Sequence, residues 1–264
     1  MNRIIDYQNL AKEIQLWITN YANENNLKTL VVGVSGGIDS AVVSTLCAET
    51  GLPTIVVGMP INSNKKNTKL SEKQIEFLLT KYKDNILGYN IDLSKTFEEF
   101  KSHSVFKNEF NSELGLANTK SRFRMITLYQ IAASKNGLVV GTGNKVEDFG
   151  VGFYTKYGDG GVDISPIADL YKTEVRELGR HLGIPQEIIN AEPTDGLWED
   201  DRTDEDQIGA TYEELEWVME LGLNKLSYTQ KEYKIVEKFL NFHNKNKHKM
   251  VSIPIFDLKE KEII

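Results

Sequence analysis

Residues 31–46 read VVGVSGGIDSAVVSTL. Branched apolar residues run into Ser35-Gly36-Gly37, and an acid and a hydroxyl, Asp39 and Ser40, precede a second apolar run. A buried strand, a tight glycine turn and a new helix have this pattern. Such a junction makes an anion site, because the first backbone N–H groups of the helix lack acceptors and its dipole adds partial positive charge. Gly36 and Gly37 let the backbone approach a phosphate, and Ser35 and Ser40 can donate hydroxyl hydrogen bonds. Asp39 would repel that phosphate unless a divalent cation bridged the two, and Mg2+ is the usual hard-oxygen partner. The plainer alternative is a helix capped by its own Ser or Asp. No Lys-Ser/Thr follows the glycines, so the turn is not a Walker A loop, nor is it G-x-G-x-x-G.

Outward from this turn, strand and helix patterns alternate. Residues 4–22 carry Ile4, Leu10, Ile14, Leu16, Trp17 and Ile18 at helical spacing, ahead of a strand over 29–34 and a helix over 40–51. Further strands are expected at 53–61, 85–93 and 138–144, with helices at 71–82, 118–137 and 169–183. The alternation predicts an α/β fold: an open, mostly parallel, Rossmann-like sheet with helices on both faces. Its ligand site should lie beyond the carboxyl ends of the strands, where Ser35 and Thr142 emerge. No repeat or linker interrupts the 264 residues, so residues 1–264 are read as one domain.

The net charge of −7 argues against a general nucleic-acid or anionic-membrane binder. Cys47, the one cysteine, sits in an apolar helix run and reads as a packing residue. It allows no intrachain disulfide, which suits a reducing compartment. Residues 1–26 carry acids and amides through their apolar positions and read as neither a signal peptide nor a membrane span. A cytoplasmic location is the expectation.

SGGIDS (35–40) resembles the pyrophosphate loop of the adenine-nucleotide α-hydrolase-like enzymes, which cut ATP between the α and β phosphates. The blocks KSRFRMITLYQIA, VVGTGNKVED, FYTKYGDGGVDISPIADLYKTEV and EPTDGLWEDDRTDEDQIG, and the late pair HK, follow in the order and approximate spacing of ammonia-dependent NAD synthetases. The likeness runs from about residue 10 to the C-terminus. It implies ATP-dependent amidation of deamido-NAD by ammonia, through an acyl adenylate, to NAD, AMP and pyrophosphate. It implies a homodimer with substrate bound across the interface, and no glutaminase domain. By the same resemblance Gly33, Val34, Ser35, Gly36, Gly37, Ile38, Asp39 and Ser40 cradle ATP, with Thr142, Lys172 and Thr194 as further contacts. Asp39 and Glu147 match the magnesium carboxylates. Arg122, Tyr129, Lys156, Asp163, His248 and Lys249 match the deamido-NAD site, and Asp159, Lys172 and Ser35 the catalytic positions.

Each residue also has a bland reading. Arg122 and Arg124 lie on a helix where exposed arginines are common. Tyr129, seven residues past Arg122 and on the same face, suits either a nicotinate ring or the core. Asp159 between glycines suits turn chemistry, and Glu147 with Asp148 suits a helix start. His103, His181 and His243 have no motif around them. The acidic 195–209 stretch reads as a solvated loop or, following Thr194, as a lid. GNKVEDFG also departs from the family's DHAAE version and has one more residue before YTK. Two rival functions are an ATP pyrophosphatase acting on a purine nucleotide or tRNA, and a nucleotide sensor without turnover. The acidic net charge speaks against the tRNA enzyme, and joint retention of Asp39, Glu147, Asp159 and Lys172 speaks against the sensor.

Overall fold

The computed structural model describes residues 3–63, 65–194, 196–198 and 202–256. Four parallel strands, β1 (Thr29–Gly33), β2 (Thr54–Gly58), β3 (Ile86–Asn90) and β4 (Gly137–Val139), form a sheet of order β3-β2-β1-β4. Val140 extends the last strand through a parallel bridge to Ile164. The chain builds outward from β1 to β3 and then returns to the other side of β1. This places the switch in strand order between β1 and β4, the crevice where open α/β sheets take their ligands.

The helices are α1 (Tyr7–Glu24), α2 (Ile38–Glu49), α3 (Lys65–Lys81), α4 (Ser94–Ser102), α5 (Ser104–Asn108), α6 (Glu113–Ser134), α7 (Lys172–His181), α8 (Gln186–Ile189), α9 (Asp204–Ile208), α10 (Tyr212–Glu220) and α11 (Gln230–Asn246). Alternation along the strands sorts their side chains between two cores. Leu30, Val32 and Val56 pack with Ile18 of α1, Leu46 of α2, Leu178 of α7 and Ile188 of α8. Val31, Ile55, Val57 and Val139 turn the other way, onto Phe97 of α4 and Ala132 of α6. Both faces of β1 and β2 are covered, so these two strands read as apolar runs, whereas the edge strand β3 leaves Leu87 and Tyr89 exposed. A third core joins Val146 and Val151 to α9, α10 and α11 through Ile208, Tyr212, Leu215, Ile235 and Phe239. Cys47 is fully buried, as its context suggests.

Element boundaries moved where caps intervene. The long helix begins at Glu113, ahead of the expected 118, because Ser112 Oγ accepts the Gly115 N–H at 3.1 Å. The helix expected from 169 starts at Lys172, where Glu174 accepts the Tyr171 N–H at 2.8 Å. The acidic stretch contains the short helix α9, closed by a Thr203–Asp206 capping box. Its residues 195 and 199–201 lie outside the described residues.

Candidate active site

The glycine turn after β1 closes on itself through its serines. The Ser40 hydroxyl donates to the Gly37 carbonyl at 3.0 Å and accepts the Ser35 N–H at 3.1 Å. Ser35 Oγ in turn accepts the Gly37 N–H at 3.2 Å. Gly36 has φ +94°, and a Cβ there would lie 2.6 Å from the Asn67 carbonyl of α3. Only glycine fits. The N-cap of α2 is Gly37, which offers no side chain, so the first-turn N–H groups stay open. The plain capped helix does not form. Gly33, Val34, Ser35, Gly37, Ile38, Asp39 and Ser40 line a cleft of about 670 Å3, facing Gly141, Thr142 and Gly143 beyond β4.

Asp39, in the first turn of α2, meets the first residue of α7. Lys172 Nζ donates to Asp39 Oδ2 at 2.5 Å and to Glu147 Oε1 at 2.8 Å. The lysine is 2 % exposed. Burial alone would favour the neutral amine, but the two carboxylates outweigh it and hold the ammonium form well above the ordinary lysine range. Burial also opposes ionisation of Asp39 and of Glu147. At Glu147 the ion pair with Lys172 and the hydrogen bonds from Tyr212 and Asn144 prevail and keep the carboxylate charged.

Glu147 sits in a π-helical turn, Lys145–Val151. Asn144 caps it, with Oδ1 accepting the Val146 and Glu147 N–H groups at 3.0 and 3.1 Å. The same side chain donates to Asp39 Oδ1 at 3.2 Å, so one amide orients both carboxylates. Tyr212 donates to Glu147 Oε1 at 2.5 Å.

Asp159 closes the other wall. Its Oδ1 accepts the Ser121 hydroxyl at 2.6 Å and the Thr155 N–H at 3.0 Å, and Ser121 Oγ accepts the Asp159 N–H at 2.8 Å. A Cβ at Gly158 would lie 2.4 Å from Ser121 Oγ, so this close approach to α6 needs the glycine. Burial raises the Asp159 carboxyl above the usual range against these hydrogen bonds. Asp148 also lines the cleft. Burial first, and then the charges of Asp159, Glu147 and Asp39, push it well above an ordinary carboxylate, with Lys249 opposing. A carboxyl raised on folding favours the native state below its unfolded pKa and loses that contribution as pH rises through the folded value. Asp148→Asn is therefore expected to raise the melting temperature at neutral pH, and the gain should vanish as pH falls into the ordinary carboxylate range. A gain that persists in acid would contradict this origin.

The sequence matches the NAD synthase family over residues 10–252. The chain belongs to this family. The NH3-dependent NAD+ synthetase of Finegoldia magna is 39% identical over 220 residues, 80% of this chain and 84% of that protein. Among solved structures, the NMN synthetase of Francisella tularensis has TM-score 0.84 and 30% identity, covering 96% of this chain and 100% of that one. The NH3-dependent NAD synthetase of Campylobacter jejuni has TM-score 0.74 and 27% identity, covering 96% and 100%. The parallel α/β fold and the ligase class expected from the sequence are those of this family. So is the reaction, ATP-dependent amidation of deamido-NAD with ammonia, the last step of NAD biosynthesis.

Among the residues carried over for the dinucleotide, Arg122, Lys156, His248 and Lys249 line the cleft, as do Thr142 and Thr194. Lys249 donates to the carbonyls of Gly152 and Tyr154 at 2.5 and 2.7 Å, so it also pins the late chain onto the FYTK block. Arg124 also lines the cleft, with its Nε donating to the Met59 carbonyl at 3.1 Å. Tyr129 and Asp163 are not in the cleft. Tyr129 donates to Asp163 Oδ1 at 3.0 Å, and both line a second hollow with Tyr21 and Asn25 of α1. His243 is a packing residue, stacked on Phe239. Sequence reasoning gave no role to Asn144, Ser121 or Tyr212. Asn144 carried a signal, an amide just ahead of a predicted helix start.

Proposed function

We propose that the cleft performs the synthetase reaction in two stages, adenylation at the glycine turn and amide formation beside Asp159. The observation that carries this reading is the buried Lys172 held between Asp39 and Glu147 at the open N-terminus of α2. The cradle of residues 33–40 holds the ATP phosphates, with Thr142 and Thr194 as further contacts. Lys172 offsets charge on the transferring phosphorus and departing pyrophosphate, which is mostly electrostatic work. Asp159 then takes a proton from bound ammonium, since only the uncharged amine attacks the activated carbonyl.

The carboxylate pair suits Mg2+. Lys172 and Tyr212 both use Oε1 of Glu147, leaving Oε2 outside those bonds. Among the described residues no three His, Cys, Asp or Glu side chains gather as a protein-only metal cage. Mg2+ typically takes one or two carboxylates and completes its shell with phosphate and water. When bound it would neutralise phosphate charge; Asp39 and Glu147 would hold it and Asn144 would orient them.

The acceptor's nicotinate end meets Arg122, Lys156, His248 and Lys249. Tyr129 and Asp163 face away from the cleft and serve the acceptor of a partner copy. Exposed Leu16 and Trp17 on α1 and Ile126 on α6 supply apolar surface for that homodimer. Sedimentation velocity at micromolar protein tests it; a monomer would refute the intersubunit site. Among the described residues no helix is long and apolar enough to cross a membrane; the cytoplasm is the location we assign, the fully buried free Cys47 suiting a reducing compartment.

A second acceptor deserves the same assay, because the likeness to an NMN synthetase spans that whole chain. The corresponding amidation would start from nicotinate mononucleotide, with the same chemistry on a shorter substrate. With Mg2+, ATP and ammonium, we expect deamido-NAD to yield NAD, AMP and pyrophosphate, and glutamine not to replace ammonium. Preference for the mononucleotide would favour the second acceptor. ADP and orthophosphate as products, or nucleotide binding without turnover, would overturn the proposal.

A further inference from the structure

Tyr212 opens α10 and is fully buried in the third core. A buried tyrosine ordinarily finds one partner for its hydroxyl. This one meets two carboxyl groups: Glu147 Oε1 at 2.5 Å and Asp204 Oδ2 at 3.3 Å. Its ring lies 4.9 Å from Lys172 Nζ. Asp204 is the first residue of α9, and its N–H donates to the Pro193 carbonyl at 3.1 Å, tying α9 to the chain just ahead of the acidic segment. Glu205 of the same helix accepts the Tyr212 N–H at 2.9 Å. Thr194, just before that segment, and Leu197 and Trp198 within it line the cleft. One hydroxyl therefore joins the base of a cleft wall to a carboxylate of the adenylating centre.

We propose that Tyr212 is a positioning residue that fixes Glu147 for the metal–nucleotide complex and couples it, through Asp204, to the base of the acidic segment. Glu147 hangs on a π turn, and its oxygen shared with Lys172 gains a second donor from α10. Without the hydroxyl the carboxylate can rotate toward Lys172 and away from the nucleotide. The inference rests on the reading of Glu147 as a metal carboxylate.

Tyr212→Phe removes the hydroxyl and keeps the ring. The probe is Mn2+ binding to the full chain with a non-hydrolysable ATP analogue, followed by electron paramagnetic resonance. We expect roughly tenfold weaker Mn2+ binding, the usual effect of losing a ligand's outer partner. The Mg2+ concentration for half-maximal pyrophosphate release should rise in parallel, with the KM for deamido-NAD unchanged. Asp204→Ala, which removes the partner oxygen, should move the same readouts in the same direction, and it carries the test if Tyr212→Phe does not fold. Unchanged Mn2+ binding in these variants, with weakened binding in Glu147→Gln, would overturn the role of Tyr212. Unchanged binding in Glu147→Gln as well would overturn the metal assignment beneath it.

Discussion

Lys172→Met is expected to lower turnover by roughly 10²–10³-fold, the usual loss when one preorganised charge donor is removed from a transferring group. It should also make the stability of the folded chain depend on Mg2+. In the wild type Lys172 is the shared counter-ion of Asp39 and Glu147, at 2.5 and 2.8 Å. Its raised pKa gives stability that is complete below the ordinary lysine value and lost only as pH climbs through the higher folded value. At neutral pH that contribution is fully present. Methionine fills much of the space and leaves two buried carboxylates facing each other. Removing one partner of a buried ion pair typically costs about 3–5 kcal/mol. A divalent cation on the two carboxylates would restore part of this by mass action. Thermal unfolding across a Mg2+ series should therefore show a lower midpoint that climbs with Mg2+ in the variant and a flatter response in the wild type. A variant with near-normal turnover, or with a midpoint indifferent to Mg2+, would show that the lysine is neither the phosphate cation nor the keeper of the pair.

What could be read from the sequence was what neighbours in the chain determine. The strand, glycine turn and helix of residues 29–49 are local, and the open N-terminus of α2 follows from having glycine where a cap would sit. The carboxylate pair was reached through the family resemblance, and the structure brings Asp39 and Glu147 onto one lysine. The partners of these groups were not legible, because tertiary packing supplies them. Tyr212 reaches Glu147 across 65 residues, and Ser121 reaches Asp159 across 38. Arg122 and Tyr129 both lie on α6, yet Leu128, one residue before Tyr129, lines the cleft while Tyr129 donates to Asp163, whose other oxygen accepts the Val139 N–H at 2.7 Å. Helical spacing alone does not say which tertiary partner each side chain of a helix meets.

Asp159→Asn should separate the two half-reactions. Asparagine keeps a side-chain oxygen for the Ser121 hydroxyl and the Thr155 N–H, so the turn of residues 155–159 should survive while the charge is lost. Pyrophosphate release in the first turnover should persist, whereas NAD formation should slow by roughly 10²-fold or more, the common worth of a positioned base. An adenylate then accumulates and appears as a burst of pyrophosphate stoichiometric with enzyme. The pH profile gives the independent check. Burial raises the Asp159 carboxyl, so its basic form is lost as pH falls through a value above the ordinary carboxylate range. The acid limb of NAD formation should lie above the ordinary carboxylate range in the wild type and move up in the variant to the higher pH at which ammonium itself deprotonates. The pyrophosphate burst should not share that limb. Raising the pH should partly rescue the variant, because solution then supplies free ammonia and no protein base is needed. If both half-reactions fall together and alkaline pH rescues neither, the carboxylate serves only to hold its turn against α6. The proton would then have to leave ammonium by another route.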